Sequence, residues 1–146
     1  MNYALLYDEM IFKDGGIMNY LDNINTSLLK KNLDGLWMRQ NITMENIANY
    51  TTPGYKSKYV DFEHALQNKL SGFEGTVKQS DIINAAKESE IIIGENVNKT
   101  MRLDGNNVDI DSENIELART QLNYSYTISE LQSYMSRMSK AINGGK

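Results

Sequence analysis

The chain contains no cysteine, one proline and one histidine among its 146 residues. Without cysteine there is no disulfide, no thiolate zinc site and no thiol nucleophile, although a cysteine-free chain can belong to any compartment. A single imidazole, His64, excludes sites that need two, such as the metal-binding helix of a metalloprotease. Long hydrophobic runs are missing as well. The longest, Tyr3 to Tyr7, falls far short of the ~20 residues of a membrane-spanning helix. The first residues carry no basic head and run into Asp8 and Glu9, so they do not read as a Sec-type signal peptide. Positive charge is scarce too: 15 Lys and Arg against 19 Asp and Glu leave −4. That balance argues against a nucleic-acid partner, whose phosphates must be neutralised by Lys and Arg, and no feature asks for direct lipid binding.

What the chain does have is asparagine, 17 of them, and two segments of helical periodicity. The first runs from about Ser27 to Asn49, where Leu29, Leu33, Leu36, Gln40, Thr43 and Ile47 form a heptad-like stripe. Trp37, Met44 and Ala48 widen it on one flank. Gly35 sits in the middle and costs roughly 1 kcal/mol relative to alanine, so something beyond intrinsic propensity holds this helix. Thr51-Thr52-Pro53-Gly54 stops it, because proline disfavours helical geometry at Thr52 and Pro-Gly suits a type II turn. The second segment begins near Asp111 or Ser112, with Glu113 and Glu116 complementing the helix dipole. Its stripe is Ala118, Leu122, Ser125, Ile128, Leu131, Met135, Met138 and Ile142, and Gly144-Gly145 ends it.

The middle is less regular. Tyr55 to Val60 reads as extended, with Tyr55, Ser57 and Tyr59 on one side, and Asp61 as the N-cap of a short helix from Phe62 to Leu70. Residues 73 to 86 show no dominant period. Ile91-Ile92-Ile93 and the run Thr100 to Leu103 are expected to pair as a small hairpin.

Length decides shape. A helix of about 31 residues is about 46 Å long, whereas a compact chain of this size has a diameter of about 38 Å. The fold expected is therefore mainly α and elongated: an antiparallel, coiled-coil-like pair of long N- and C-terminal helices with a small irregular or hairpin middle. By residues, 18–50 and 108–143 make a discontinuous helical core, 51–107 an insertion, and 1–17 a disordered extension or a mis-assigned start. Two helices leave much of each other bare, and Trp37, Met44, Tyr124, Tyr126, Tyr134 and Met138 are adhesive surface. Such a chain completes its core on other copies or partners and is marginal alone.

The segment Glu45-Asn46-Ile47-Ala48-Asn49-Tyr50-Thr51-Thr52-Pro53-Gly54-Tyr55-Lys56 resembles the N-terminal signature of the bacterial flagellar rod, hook and filament-associated axial proteins. Val60-Asp61-Phe62-Glu63, with Ala65-Leu66, resembles the FlgB family of proximal-rod proteins in particular. So does Arg102-Leu103-Asp104-Gly105-Asn106-Asn107-Val108-Asp109 ahead of the last helix. The FlgC family is similar at the first motif, but its proline- and glycine-rich segment is missing here. The resemblance spans residues 18 to 143. It implies a non-enzymatic structural subunit with no cofactor or metal, exported unfolded through the flagellar type III apparatus and polymerised into a torque-transmitting helical rod. The partners it implies are further copies of the chain, FlgC, the adaptor FliE, and the export gate and membrane ring at the rod base. It also implies an assembly role for Asn46, Ile47, Ala48, Asn49, Thr52, Pro53, Gly54, Tyr55, Lys56, Asp61 and Phe62, and for the second motif from Asp104 to Asp109. Helix packing falls to Leu29, Leu33, Leu36, Ile47, Leu122, Ile128, Leu131, Met135, Met138 and Ile142.

FlgB-like chains begin about 30 residues before the Asn-Ile-Ala-Asn motif, which here falls at Met18. Lys13 to Met18 is compatible with a purine-rich, ribosome-binding-site-like stretch, so Met18 is expected to be the start; a genuine extension is the alternative. The remaining features take plainer readings. Asp104, Asn106 and Asp109 superficially resemble a calcium loop, but residue 115 is Ile115 where the bidentate glutamate belongs and Gly105 is misplaced; a turn is favoured. His64, near Asp61 and Glu63, reads as a surface helix residue rather than a general base. Tyr124, Tyr126 and Tyr134 read as packing surface rather than a base-stacking platform. Lys56 and Lys58 suit either an acidic partner or a solvated strand face. A cytosolic helical adaptor or chaperone-like module is the competing reading of the whole.

Overall fold

A computed structural model of the chain describes residues 24–73, 77–97 and 102–144. In chain order these hold α1 (Ile24–Ala48), β1 (Lys58–Asp61), α2 (Glu63–Ser71), α3 (Gln79–Glu88), β2 (Ile92–Glu95) and α4 (Ile110–Ile142). The protein is mainly α, as the periodicity predicts. The two long helices run antiparallel: Asn32 Nδ2 meets Thr127 Oγ1 at 3.1 Å, and Asn46 Nδ2 meets Glu113 Oε1 at 3.1 Å. At 33 residues, α4 is about 50 Å long. The expectation for residues 1–17 lies outside the described residues.

α4 starts slightly earlier than expected because Asp109 caps it, accepting from the Asp111 and Ser112 amides at 3.1 and 3.4 Å. Its buried face is also displaced from the predicted stripe. Thr120 and Thr127 are buried, and Leu117, Tyr124, Leu131, Tyr134 and Met138 half-buried. Leu122 is 59 % exposed, and Met135 and Ile142 are exposed as well, so these three do not close the pair within one chain. Apolar periodicity misplaced the seam because two of its central positions are threonines. On α1, Leu36 is buried, while Leu29, Leu33 and Ile47 are half-buried.

The strand of the middle segment is shorter than the extended stretch predicted, and its partner is different. β1 pairs antiparallel with β2, Tyr59 opposite Gly94 and Val60 opposite Ile93. The expected hairpin with Thr100–Leu103 does not form: Thr100 and Met101 lie outside the described residues, and Arg102 and Leu103 belong to a turn. The Tyr59 ring lies so close over Gly94 that a Cβ there would stand 2.4 Å from it. α2 begins at Glu63, with Phe62 in the cap position and no side-chain cap bond. Asp61 still serves the helix, accepting from the His64 amide at 3.2 Å. α3 has no counterpart in the predicted elements. It is one short amphipathic helix whose buried residues are Ala85 and Ala86, small side chains that give a weak periodic signal while allowing close approach to α1.

Phe62 explains Gly35. Leu36, Ile42, Val60 and Phe62 form the core cluster, with Met38, Ile91 and Tyr124 packed against it. The Phe62 ring rests directly on the α1 backbone at Gly35, where a Cβ would stand 2.4 Å from Cγ and Cδ1. Tertiary packing, not propensity, holds that position.

Candidate assembly site

The two sequence motifs, about fifty residues apart, are folded into one clamp. α1 ends at the first. The Asn49 amide bonds the Glu45 and Asn46 carbonyls, and the Asn49 side chain returns to the Glu45 carbonyl at 2.9 Å. Thr52 Oγ1 donates to Asn49 Oδ1 at 3.1 Å. The carbonyls of Asn49, Tyr50 and Thr52, left without helical partners, converge on one donor. Asn106 Nδ2 reaches them at 2.9, 3.1 and 2.9 Å, while its Oδ1 accepts from the Val108 amide at 2.7 Å. Asn106 is fully buried; the second motif thus supplies the C-terminal cap of the first motif's helix.

The turns themselves lie back to back. Gly54 and Gly105 both take positive φ, 73° and 80°, the region glycine enters without penalty. Gly54 N donates to the Asp104 carbonyl at 2.9 Å, and Lys56 Nζ to the Gly105 carbonyl at 2.7 Å. Arg102 stacks on the Tyr50 ring with 4.8 Å to the centroid and donates to the Tyr50 carbonyl at 3.0 Å. Asp104 Oδ1 accepts from the Asn106 amide at 3.1 Å. With Asp109 capping α4, the acidic groups of the calcium-like stretch are engaged by backbone amides, in keeping with a turn. Asp109 is held below its usual range by its bonds to the Ser112 side chain and amide. Thr51, Thr52, Pro53 and Gly54 remain exposed on the outside, a tip on a hydrogen-bonded base.

A second asparagine ties three elements together one turn deeper. Asn46, 1 % exposed, donates to the Lys58 carbonyl at 2.8 Å and to Glu113 Oε1. It accepts from the Lys58 amide at 2.9 Å and the Tyr55 hydroxyl at 3.2 Å. Burial pushes the Glu113 carboxyl above its usual range; the Asn46 amide opposes the shift, and Glu116 and Asp109 reinforce it. Burial, then Glu45, raises the Tyr55 phenol. Lys58 pairs with Glu45 at 2.6 Å, so its partner is internal to the clamp. Asn107 completes the set, taking the Ser57 amide at 2.6 Å and donating to the Asn96 carbonyl.

Of the motif residues, then, Asn46, Asn49, Thr52, Gly54, Tyr55, Lys56 and the stretch Asp104 to Asp109 meet in the clamp. Ile47 is half-buried and Ala48 exposed on α1, while Pro53 sits at the tip. Asp61 and Phe62 lie apart at the start of α2, where Arg39 stands 5.0 Å over the Phe62 ring and pairs with Glu63 at 2.5 Å. His64 is on the surface, 3.0 Å from the Asp61 carboxylate. Sequence reasoning missed Ser57, Asn96 and the anchoring role of Glu113. Glu113 stands four residues after the Asp109 cap, a spacing that places it over the first turn; nothing local marks Asn96.

No family model matches the chain. Curated proteins do. It is 30 % identical over 110 residues to the flagellar basal body rod protein FlgB of Bacillus subtilis, covering 75 % of this chain and 85 % of the relative. With the FlgB of Salmonella typhimurium it shares 32 % over 116 residues, 73 % of this chain and 84 % of that one. The FlgB of Cereibacter sphaeroides is 33 % identical over 109 residues, 73 % and 84 % of the two chains. The chain belongs to the FlgB family. It is a flagellar basal-body rod protein, and the comparison favours the FlgB-like over the FlgC-like reading of its motifs. No helix among the described residues is long and apolar enough to cross a membrane.

Proposed function

We propose that this FlgB-family chain is a non-catalytic subunit of the proximal rod, exported through the flagellar type III apparatus and polymerised by helix packing to carry motor torque. Its neighbours in this reading are further copies of itself, FlgC, FliE and the export gate and membrane ring at the rod base. One observation carries the mechanism: a hydrogen-bonded polar clamp fixes one end of a helix pair that leaves several large apolar side chains exposed. Trp37, Met44, Ile115, Leu122, Tyr126, Met135 and Ile142 are all at least 43 % exposed. The clamp sets the angle at which α1 meets α4, and the bare faces supply the cohesion. A standard interface of about 1,600 Å² grosses some 40 kcal/mol of apolar burial at most, before large ordering costs. Stiffness under torque then comes from many lateral contacts acting together.

The proposal extends to the residues. The exposed Thr51–Gly54 tip and its supports Asn46, Asn106 and Asn107 make the joint, and residues 18–50 with 108–143 form the rod core around which 51–107 is an insertion. Deletion of the gene is expected to abolish flagella and the secretion of later rod and hook proteins, with restoration by the intact gene. Leu131→Asp and Ile47→Asp, which put charge on half-buried faces, should fail to complement. Normal motility of both variants would refute the packing scheme.

A further inference from the structure

The two bare stripes of the helix pair are matched in spacing and height. On α1, Trp37 and Met44 stand seven residues apart and are 53 % and 43 % exposed. On the side of α4 turned from α1, Ile115 and Leu122 also stand seven apart, 69 % and 59 % exposed, with Tyr126 at 71 % one turn further. The bonds Asn46–Glu113 and Asn32–Thr127 fix the antiparallel register, one residue up α1 for one residue down α4. Trp37 is therefore level with Leu122, and Met44 with Ile115.

We infer that these stripes are the two halves of one side-by-side contact between copies of this chain, the α1 stripe of one copy packing on the α4 stripe of the next at the same height. The inference rests on the rod reading and adds to it which surface meets which. Equal seven-residue spacing lets the side chains interdigitate as in an antiparallel coiled coil. Charge agrees. Lys30 continues the α1 stripe seven residues before Trp37, and Glu130 flanks the α4 stripe within one residue of level. A lysine side chain in line with the stripe of one copy thus comes within reach of a glutamate at the edge of the stripe of the next. In its own chain Glu130 meets the exposed Arg137 at 3.2 Å. Because the two stripes lie on different helices, the contact is heterologous: it repeats around an axis instead of closing as a two-fold dimer. Two short stripes supply less than the roughly 1,200 Å² at which stable pairwise interfaces begin, so it holds through repetition and not as an isolated pair.

The chain's lack of cysteine makes the test direct. Trp37→Cys and Leu122→Cys together, as the sole copy in flagellated cells, should give a ladder of cross-linked multimers when isolated basal bodies are oxidised, and each single variant should give none. A double variant that enters the rod yet stays monomeric on oxidation, or a Trp37→Cys single that forms dimers, overturns the assignment. Charge exchange supplies a second measurement without cysteine. Lys30→Glu should lower incorporation into rods, and adding Glu130→Lys should restore it; no restoration overturns the pairing. Absence of the unaltered chain from basal bodies is a separate outcome, which defeats the rod reading itself.

Discussion

Replacing Gly35 by alanine sets local propensity against packing with opposite signs. In a bare helix the change stabilises by about 1 kcal/mol. Here the new Cβ meets Phe62 Cγ and Cδ1 at 2.4 Å and Cδ2 at 2.6 Å, so the ring must retreat by about 1 Å to reach ordinary contact. It has little room. Phe62 is 3 % exposed, is packed among Leu36, Ile42 and Val60, and lies under the Arg39 guanidinium that pairs with Glu63. Overpacking of a filled core costs about 1–3 kcal/mol. A ring held on every side belongs at the upper end, and a cost of about 3 less a gain of about 1 leaves a net loss of about 2 kcal/mol. At about 4 °C per kcal/mol that is a melting point lower by about 8 °C, read by circular dichroism of the full chain, with sucrose added if a firmer folded baseline is needed. The decisive arm is the cycle with Phe62→Ala. Once the ring is gone, Gly35→Ala should stabilise by about 1 kcal/mol, reversing its sign. A neutral or favourable effect in the native background, or the same effect in both, refutes the account of why this helix carries a glycine.

Three further outcomes follow from the polar groups. Asn106→Ala removes a donor shared by three carbonyls, each of which keeps one other partner (the Thr52 amide, Arg102 or the Tyr55 amide), and leaves the buried Val108 amide unpaired, so it should cost about 2 kcal/mol in urea unfolding; Asn106→Asp should cost more, since it turns a carboxylate onto those carbonyls. The Thr120 hydroxyl is buried with no hydrogen-bond partner among the described residues, so Thr120→Val should raise stability by about 1 kcal/mol; a loss of that size would reveal a bond the hydroxyl makes. Glu113 holds its proton more tightly folded than unfolded, because burial raises its carboxyl above the ordinary 4.5. Its contribution to stability therefore grows as pH falls through the folded value and levels off below 4.5. Asp109 runs the other way: its contribution is present above 3.8 and is lost as pH drops through its lowered folded value. Glu113→Gln keeps an acceptor for Asn46 and should be more stable than the native chain at neutral pH, with a flatter stability profile above pH 4.5. An unchanged profile would refute the burial argument.

Long periodic segments and turn chemistry were legible in the sequence, because each depends on neighbours along the chain. Pro53-Gly54 and Asp104-Gly105 announce turns through backbone preferences that tertiary structure leaves intact. The seam of α4 was legible only in part: Ile128, Leu131 and Met138 of the predicted stripe are half-buried, while Leu122, Met135 and Ile142 are exposed. Its central buried positions, Thr120 and Thr127, are polar, and the apolar Ile115, Leu122 and Tyr126 face outward. A search for hydrophobic period follows greasy residues wherever they point, including toward another molecule. The pairing of β2 with β1 across more than thirty residues, in place of a local hairpin, is likewise fixed by tertiary contacts. So is α3, whose buried face is two alanines. The clamp fell between these cases. Both of its segments were visible as motifs, but that Asn106 caps α1 is a relation between two distant stretches, and no property of either stretch alone contains it.

The described fold buries asparagine and threonine beside its small apolar core and leaves several large apolar side chains exposed. Among the described residues Asn46, Asn106 and Thr120 are buried alongside the apolar cluster of Leu36, Ile42, Val60 and Phe62, whereas Trp37, Leu122, Tyr126 and Ile142 are more than half exposed. Buried asparagine contributes little net free energy per hydrogen bond, about 1 kcal/mol, but its amide fixes direction, since donors and acceptors must all be met at once. Apolar faces contribute energy without direction. The described fold therefore places its directional bonds where geometry must be set, at the joint between the helices, and leaves several large apolar side chains exposed on the helices. In the rod proposed above, a chain built this way gains stability on assembly while bringing the angle of its helix pair already determined. That division is what a repeating, load-bearing polymer requires of each subunit.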